Sequence, residues 1–464
     1  MEEKFSDHIE DQLSLSEISA RGIDLLARHD PELYGLLQQE QRRQAESLML
    51  VAASSCADPS VLACKGMATN NVTTEGYPGR RFHAGCTQVD QIERLAISRA
   101  KALFNARYAN VQPHSGTSAN LIVLTAFLRP GDKLLGMDLN AGGHLTHGAA
   151  ASFSGCYYQA FTYGVDQNGF LDYDRIEHLA GKHQPKLIIC GASSYPRAID
   201  FKRFRAIADK VGAWLLADIS HIAGLVATGF HQSPIDLAHI TTTSTYKQLY
   251  GPRGGMILLG KDYKKPGPDG KTSLAKTIQK AVFPYFQGTP DLSAVAARAR
   301  AFDQLLKPES TQLAYRIING AQALAQTLTS CGYKVITGGT DNHMVLVDMT
   351  QAGMNGLIAQ RALESCRIII NKNTIPNDLK PATLTSGIRL GTNTVTMRGM
   401  DAVPLKSCAH LIHKVLQAIT LSGDRGFELN GEIKEQVIAQ VSDLCAQYPI
   451  PDYPNIQQQL PAGV

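Results

Sequence analysis

The sequence predicts an α/β protein of layered architecture, built as two lobes behind a helical arm. Three observations carry this. The chain of 464 residues is longer than one ordinary core supports. From about residue 90 to 300, apolar runs alternate with amphipathic segments, the pattern of strands and helices stacked in layers. Within that stretch one βαβ unit can be read in full.

Residues 1–50 read as mostly helical, with Leu25, Leu26, Leu36 and Leu37 set among many charges. Such a segment clasps another part of the chain or a second subunit. The large lobe is expected over residues 51–300. Its clearest unit begins with the apolar strand Lys186–Cys190, followed by a helix from Asp200 to Val211 whose Phe201, Phe204, Ala208 and Val211 share one face. Asp200 suits the N-cap and Gly212 the C′ position. The next strand covers residues 213–218 and ends on Asp218. Beyond about 300 a helix leads into a smaller α+β lobe over residues 301–464. Strands are expected there at Tyr333–Thr337 and Met344–Asp348, with a closing helix near Gly431–Tyr448. No internal repeat or low-complexity tract interrupts the chain.

Composition narrows the function classes. Hydrophobic residues make up 44% and charged residues 19%, as in globular proteins. A net charge of +4 suits anionic small molecules better than a nucleic-acid backbone. Nine scattered cysteines without a CxxC pair argue against a disulfide framework or a metal site, and for a reducing cytoplasm. No signal peptide is visible after Met1, and no apolar run approaches the roughly 20 residues that span a bilayer.

The stretch Thr241-Thr242-Thr243-Ser244-Thr245-Tyr246-Lys247, followed by Gly251-Pro252-Arg253-Gly254-Gly255, sets one lysine between small hydroxyl residues and a glycine-rich turn. That arrangement suits a lysine forming a Schiff base with pyridoxal phosphate (PLP). Asp218, at a strand's end, suits the partner of the pyridinium nitrogen. In Gln112-Pro113-His114-Ser115-Gly116-Thr117-Ser118-Ala119-Asn120, small residues precede an apolar helix expected over Leu121–Leu128. Free backbone N–H groups there, with the Ser115 and Thr117 hydroxyls, would cradle a phosphate. Taken alone, such a segment is also an ordinary helix start. Arg389, in Thr385-Ser386-Gly387-Ile388-Arg389-Leu390-Gly391-Thr392, is the candidate for a bidentate grip on an amino-acid carboxylate, although an isolated arginine is more often a surface ion partner.

With these residues in place, the chain resembles the serine hydroxymethyltransferase family, PLP enzymes of fold type I, over nearly its whole length. The resemblance rests on Glu75-Gly76-Tyr77-Pro78-Gly79-Arg80-Arg81-Phe82, on Gly142-Gly143-His144-Leu145-Thr146-His147-Gly148, on Asp218-Ile219-Ser220-His221-Ile222-Ala223-Gly224, and on Asn371-Lys372-Asn373-Thr374-Ile375-Pro376-Asn377-Asp378. It implies a large domain with a mostly parallel seven-stranded sheet and a smaller C-terminal domain. Ser115, Gly116 and Thr117 would hold the phosphate and His144 would cover the ring. Ser193 and His221 would lie near the phenolic oxygen and the substrate carboxylate, and Ser54 near that carboxylate. Gly288 would approach the phosphate. The catalytic set implied is Lys247, Glu75, His144, Asp218 and His221, with Glu75 as the acid/base group. Tetrahydrofolate would be the co-substrate, with Leu139, Leu145 and Asn373 on its side. The resemblance also implies a homodimer with shared active sites, or a tetramer, with neither nucleic acid nor membrane as partner. His144 could instead be a buried structural histidine, a reading that suits His147 better, and without the rest of the pattern Glu75 would read as a solvated loop acid.

Departures from the family pattern are informative. Val72-Thr73-Thr74-Glu75 replaces Lys-Tyr-Ala-Glu, and His83 replaces the second tyrosine of Arg-Tyr-Tyr. Tyr246 stands where a histidine precedes the lysine, Ala53-Ser54-Ser55-Cys56 replaces Ala-Ser-Glu-Asn, and Tyr285-Phe286-Gln287-Gly288-Thr289 replaces a Gly-Gly-Gln-Gly-Gly loop. Thr73, His83 and Tyr246 resemble the α-methylserine hydroxymethyltransferase branch, and a threonine for a phenol would open room near Cα. A methyl-sized difference discriminates by only about 1–3 kcal/mol. The expected reaction is therefore serine–glycine interconversion with tetrahydrofolate. The alternatives are α-methylserine–alanine exchange, a folate-independent aldolase of threonine type, and a non-catalytic homologue.

Overall fold

The computed structural model describes residues 14–453; residues 1–13, at the start of the expected arm, and 454–464, at the end of the expected small lobe, lie outside the described residues. The seven strands of the large sheet are β1 (Tyr108–Asn110), β2 (Lys133–Met137), β3 (Gln159–Tyr163), β4 (Leu187–Cys190), β5 (Trp214–Asp218), β6 (Ile240–Ser244) and β7 (Gly255–Leu259). Their spatial order is β1-β7-β6-β5-β4-β2-β3. Every pairing from β6 to β3 is parallel, while β7 runs antiparallel to both β6 and β1.

The βαβ unit shows why this sheet is buried on both faces. Ile188 and Cys190 of β4 and Leu215 of β5 pack on one side with Phe201, Phe204 and Ala208 of the helix Phe201–Val211. Leu187, Ile189 and Leu216 point to the other side, against Ala119, Ile122 and Val123 of the helix Gly116–Phe127. Alternation along a strand thus feeds two cores, and continuous apolar runs result. Burying each Leu or Ile side chain contributes roughly 1.5–3 kcal/mol. Asp200 caps its helix by accepting from the Lys202 and Arg203 N–H groups, and Gly212 ends it with a φ of +67°.

A second, four-stranded antiparallel sheet holds β8 (Lys334–Val335), β9 (Met344–Asp348), β10 (Asn371–Asn373) and β11 (Gly387–Gly391) in the order β8-β9-β11-β10. It packs with the helices Glu309–Ser330 and Ala402–Gln417 in a core that includes Val345, Leu390, Leu324 and Ile412. The closing helix spans Gly431–Gln447. Leu48 and Leu50 belong to this same core, and Leu48–Met49 pairs in parallel with Ile368–Ile369. The helices ahead of them, Leu15–His29 and Pro31–Ala45, bury no residue in the single chain.

Two expected boundaries are corrected. The strand expected at Tyr333–Thr337 ends at Val335, because Thr337 turns to a φ of +63° and is held by the Arg197 guanidinium. The helix expected from Leu121 begins at Gly116, where Ser115 accepts from the Ser118 N–H at 2.9 Å. All nine cysteines are free thiols. Among the described residues no helix is long and apolar enough to cross a membrane.

Candidate active site

The parallel strands end together, and their C-terminal edge is where open α/β sheets bind ligands. A cavity of about 170 Å³ lies there, lined by residues that include Ser115, Gly116, Thr117, His144, Ser193, Asp218, His221 and Lys247. Eight of the expected site residues thus line one cavity. The earlier start of the helix Gly116–Phe127 matters here, since it places the free N–H groups of its first turn at the cavity. Gly255 on β7 is required for this approach: a Cβ there would stand 2.1 Å from the Ser115 carbonyl oxygen.

Asp218 is the most tightly held group. Its Oδ2 accepts from Asn120 Nδ2 at 2.8 Å and from His147 Nε2 at 3.1 Å. Its Oδ1 accepts from the Ser220 N–H at 3.0 Å and the Ser220 hydroxyl at 2.6 Å. Burial alone would raise this carboxyl, but the hydrogen bond from His147 and its neighbours hold it well below the usual range. His147 Nδ1 accepts from the His144 N–H at 3.3 Å, which leaves the proton on Nε2, directed at Asp218. Asn120 also donates to Thr146 Oγ1 at 2.8 Å and accepts from Thr242 Oγ1 at 2.6 Å. Thr146 Oγ1 in turn lies 2.8 Å from His144 Nδ1.

Lys247 is buried, and burial lowers its ammonium to about 8, with Asp218 opposing and Arg389 and Arg253 reinforcing the shift. Burial likewise lowers His144 to about 4 and drives His221 well below its ordinary value. His221 stacks on His343 with ring centroids 5.7 Å apart, and the Nδ1 atoms of both rings are buried without a partner. Arg389, on β11, donates through Nε to Asn371 Oδ1 at 3.1 Å and through Nη1 to the Ser193 carbonyl. The second sheet therefore brings Arg389 against Ser193, which lines the cavity, although Arg389 itself is not among the lining residues. Asn373 Nδ2 donates to Ser194 Oγ at 3.2 Å, while Leu139 and Leu145 are exposed.

Glu75, Thr73, His83 and Gly288 do not line the cavity. Glu75 sits on the hairpin Gly76–Tyr77/Arg80–Arg81, beside the 285–289 loop: a Cβ on Gly288 would come within 3.0 Å of Glu75 Oε1. Arg81 braces this hairpin by donating to the Thr74 and Gly76 carbonyls, each at 3.0 Å, while pairing with Asp90 at 2.8 Å and Glu93 at 2.6 Å. Gln287 ties the loop to the strand end before Ser115, donating to the Gln112 carbonyl at 3.1 Å and accepting from the His114 N–H at 3.2 Å. His83 lines a separate surface depression with Arg81, Cys86 and Asp90.

Sequence reasoning assigned no role to Asn120, Thr146, Ser220, Arg253 or His343. The one signal for Asn120 was a polar residue on the inner face of an apolar helix.

A lysine and an ionised aspartate facing one cavity over a helix N-terminus define, with this sheet order, a PLP-dependent enzyme of fold type I. The chain matches the serine hydroxymethyltransferase family over residues 26–412. It is 46% identical over 424 residues to a serine hydroxymethyltransferase of Rickettsia akari, covering 91% of this chain and 97% of that one. It is 46% identical over 426 residues to one from a Marinomonas species, covering 92% and 97%, and 45% identical over 440 residues to one from a Cyanothece species, covering 94% and 98%. The chain belongs to the serine hydroxymethyltransferase family. That family is PLP-dependent and acts on an amino acid with tetrahydrofolate as co-substrate.

The residues present fit the cofactor. Ser115, Gly116 and Thr117 offer N–H and hydroxyl donors of the kind a phosphate needs, Asp218 is kept ionised for a ring nitrogen, and the orphaned Nδ1 of buried His221 leaves a hydrogen bond unmade.

Proposed function

We propose that the protein moves the hydroxymethyl group of serine to tetrahydrofolate, leaving glycine, and runs the reverse reaction, with PLP held at Lys247. The observation that carries this is the joint placement of Lys247, Asp218 and the Ser115–Thr117 cradle around one cavity, with Arg389 bonded to the carbonyl of Ser193 in its lining. PLP supplies the electron sink for the pair released when the Cα–Cβ bond breaks. With burial lowering its ammonium to about 8, about a tenth of Lys247 would be neutral at pH 7 and able to form the covalent anchor. Asp218 would keep a proton at the cofactor's ring nitrogen, and His147, Asn120 and Ser220 hold Asp218. His144, His221 and Ser193, which line the same cavity, would help hold the cofactor. Arg389 and Ser54 bind the substrate carboxylate.

Glu75 moves the proton at the serine hydroxyl, and it serves the site of a second copy together with Gly288. Support comes from its not lining its own chain's cavity and from its closeness to Gly288. Thr73 and His83 shape the rim near Cα in the same second site. The working unit is then a homodimer, consistent with exposed Phe82 and Tyr285 around this hairpin and exposed Leu33, Leu36 and Leu37 on the N-terminal helices. Leu139, Leu145 and Asn373 form the folate side. We assign residues 51–300 to the large domain, 301–464 to the small one, and the preceding helices to an arm. Free thiols throughout suit a cytoplasmic location.

The test is product formation by PLP-loaded protein from L-serine and from α-methylserine, each with and without tetrahydrofolate. Glycine from serine, dependent on folate, is expected. Preferential alanine from α-methylserine would reassign the substrate, and turnover indifferent to folate would make the protein an aldolase. Glu75→Gln should impair folate-dependent transfer more than cleavage of a threonine-like substrate. Equal losses would give Glu75 a structural role.

A further inference from the structure

Two of the departures from the family pattern meet in space. Ser55 stands where the pattern has glutamate, and Tyr246 where it has histidine; 191 positions separate them, yet the Ser55 hydroxyl donates to the Tyr246 carbonyl. That carbonyl belongs to the peptide joining Tyr246 to Lys247. We propose that Ser55 is a positioning residue for Lys247, fixing the peptide plane from which the lysine side chain leaves the backbone.

The other flank of the lysine is tied to the same segment. Gln248 accepts from the Leu225 N–H at 3.4 Å and donates to Asn393 Oδ1 at 3.2 Å. Asn393 donates to the Ala52 carbonyl at 3.2 Å, and His343 Nε2 lies 3.2 Å from that same oxygen. Residues 52–55 thus grip the chain on both sides of Lys247. The Tyr246 ring is held in turn by the Arg253 guanidinium, 4.3 Å from its centroid, and lies 5.9 Å from Lys247 Nζ. Cys56 plays a different part: its buried thiol, raised to about 11 by burial, lies beside Tyr250 in the wall of a neighbouring cavity.

A lysine needs such a device because its four-carbon stem is flexible and its amine must meet one atom of the cofactor. The charged and titratable groups around it are Asp218, Arg253, Arg389, His144, His221, His343 and Tyr246. Burial disfavours a proton on the lysine nitrogen, Arg389 and Arg253 reinforce this, and Asp218 opposes it. Releasing the peptide lets the stem relax its burial and its closeness to the two guanidinium groups, so the proton becomes easier to hold.

The inference rests on the PLP reading, and the experiment separates the two. The visible absorbance of the lysine-linked cofactor is titrated against pH in the full-length PLP-loaded parent, in Ser55→Ala and in Ser55→Thr. The rate at which cofactor-free protein recaptures PLP is followed alongside. Ser55→Ala should raise the titration midpoint by about half a pH unit, or about threefold in proton affinity, and slow recapture. Ser55→Thr, which keeps the hydroxyl, should restore both. A folded Ser55→Ala protein with the parental midpoint and recapture rate overturns the proposal. Should Ser55→Ala not fold, Ser55→Cys replaces it, its weaker donor giving the same upward shift; a parental midpoint there overturns the proposal equally. A parent with no lysine-dependent band would instead remove the PLP reading itself.

Discussion

Replacing Arg81 with Met tests how the Glu75 hairpin is built. The Arg81 side chain is 3% exposed, and its two carboxylate partners, Asp90 and Glu93, are 11% and 1% exposed. Removing one partner from a buried ion pair costs about 3–5 kcal/mol, because the other charge stays buried. Part of this is cushioned. Asp90 keeps the Gly79 N–H at 2.5 Å, Glu93 keeps Gln112 Nε2 at 2.8 Å, and the Gly76 carbonyl keeps Gln112 at 3.0 Å. Burial already pushes the Glu93 carboxyl upward, so it can take up a proton once Arg81 is gone. The Thr74 carbonyl, beside Glu75, loses its Arg81 partner outright. We expect Arg81→Met to lower stability in urea by about 3–4 kcal/mol, and Glu93→Gln in the same chain to recover at least about 1 kcal/mol of it. Folate-dependent transfer should fall by at least about tenfold, equivalent to about 1.4 kcal/mol, as Glu75 loses its fixed backbone. Stability within about 0.5 kcal/mol of the parent, or purely additive effects of the two substitutions, would refute the argument.

Lys247→Ala should abolish turnover and remove the absorbance of the lysine-linked cofactor while leaving the fold intact; undiminished turnover would end the assignment. Gly255→Ala places a methyl group where the Ser115 carbonyl stands, so PLP affinity should fall at least about tenfold by equilibrium dialysis. A fully buried His343, lowered to about 3 chiefly by burial, gives stability a pH dependence of defined sign. Between pH 6.5 and about 3 the unfolded chain binds its proton and the folded chain does not. Stability should therefore fall as pH drops through that window, by about 1.4 kcal/mol per unit from this histidine. His343→Phe should flatten the slope measured by urea unfolding from pH 6.5 to 4.5 by about that amount, and an unchanged slope would refute it.

Local chemistry made much of this protein legible in its sequence. The βαβ unit could be read because its caps are local: Asp200 and Gly212 act within a few residues of themselves. The start of the helix at Gly116 was misplaced for a related reason, since Ser115, Gly116 and Thr117 resemble a loop until Ser115 is seen as the cap. Thr337 breaks its strand because of Arg197, a residue 140 positions away, which no window of sequence contains. The same holds for Ser55, for His343 on its Ala52 carbonyl, and for Leu48 in the second core. Lys247, Asp218 and Ser115 stood out because each sits at the end of a strand or the start of a helix, where pattern changes mark the chain. The partners that tune Asp218 from a distance, Asn120 and His147, come from other elements 98 and 71 positions away.

Strand β7 runs against its neighbours, and this has a bearing on assembly. It is hydrogen-bonded to β6 on one side and to β1 on the other, so Ile257 faces Thr242 and Asn110 at once. Until it is inserted, the sheet has a gap between the strand that leads to the lysine and the strand that leads to the phosphate cradle. A nascent chain ending before Gly255 has every residue of the cofactor cavity but lacks the spacer that sets two of its walls apart. The cofactor cavity therefore takes its shape only with β7 standing between those two strands.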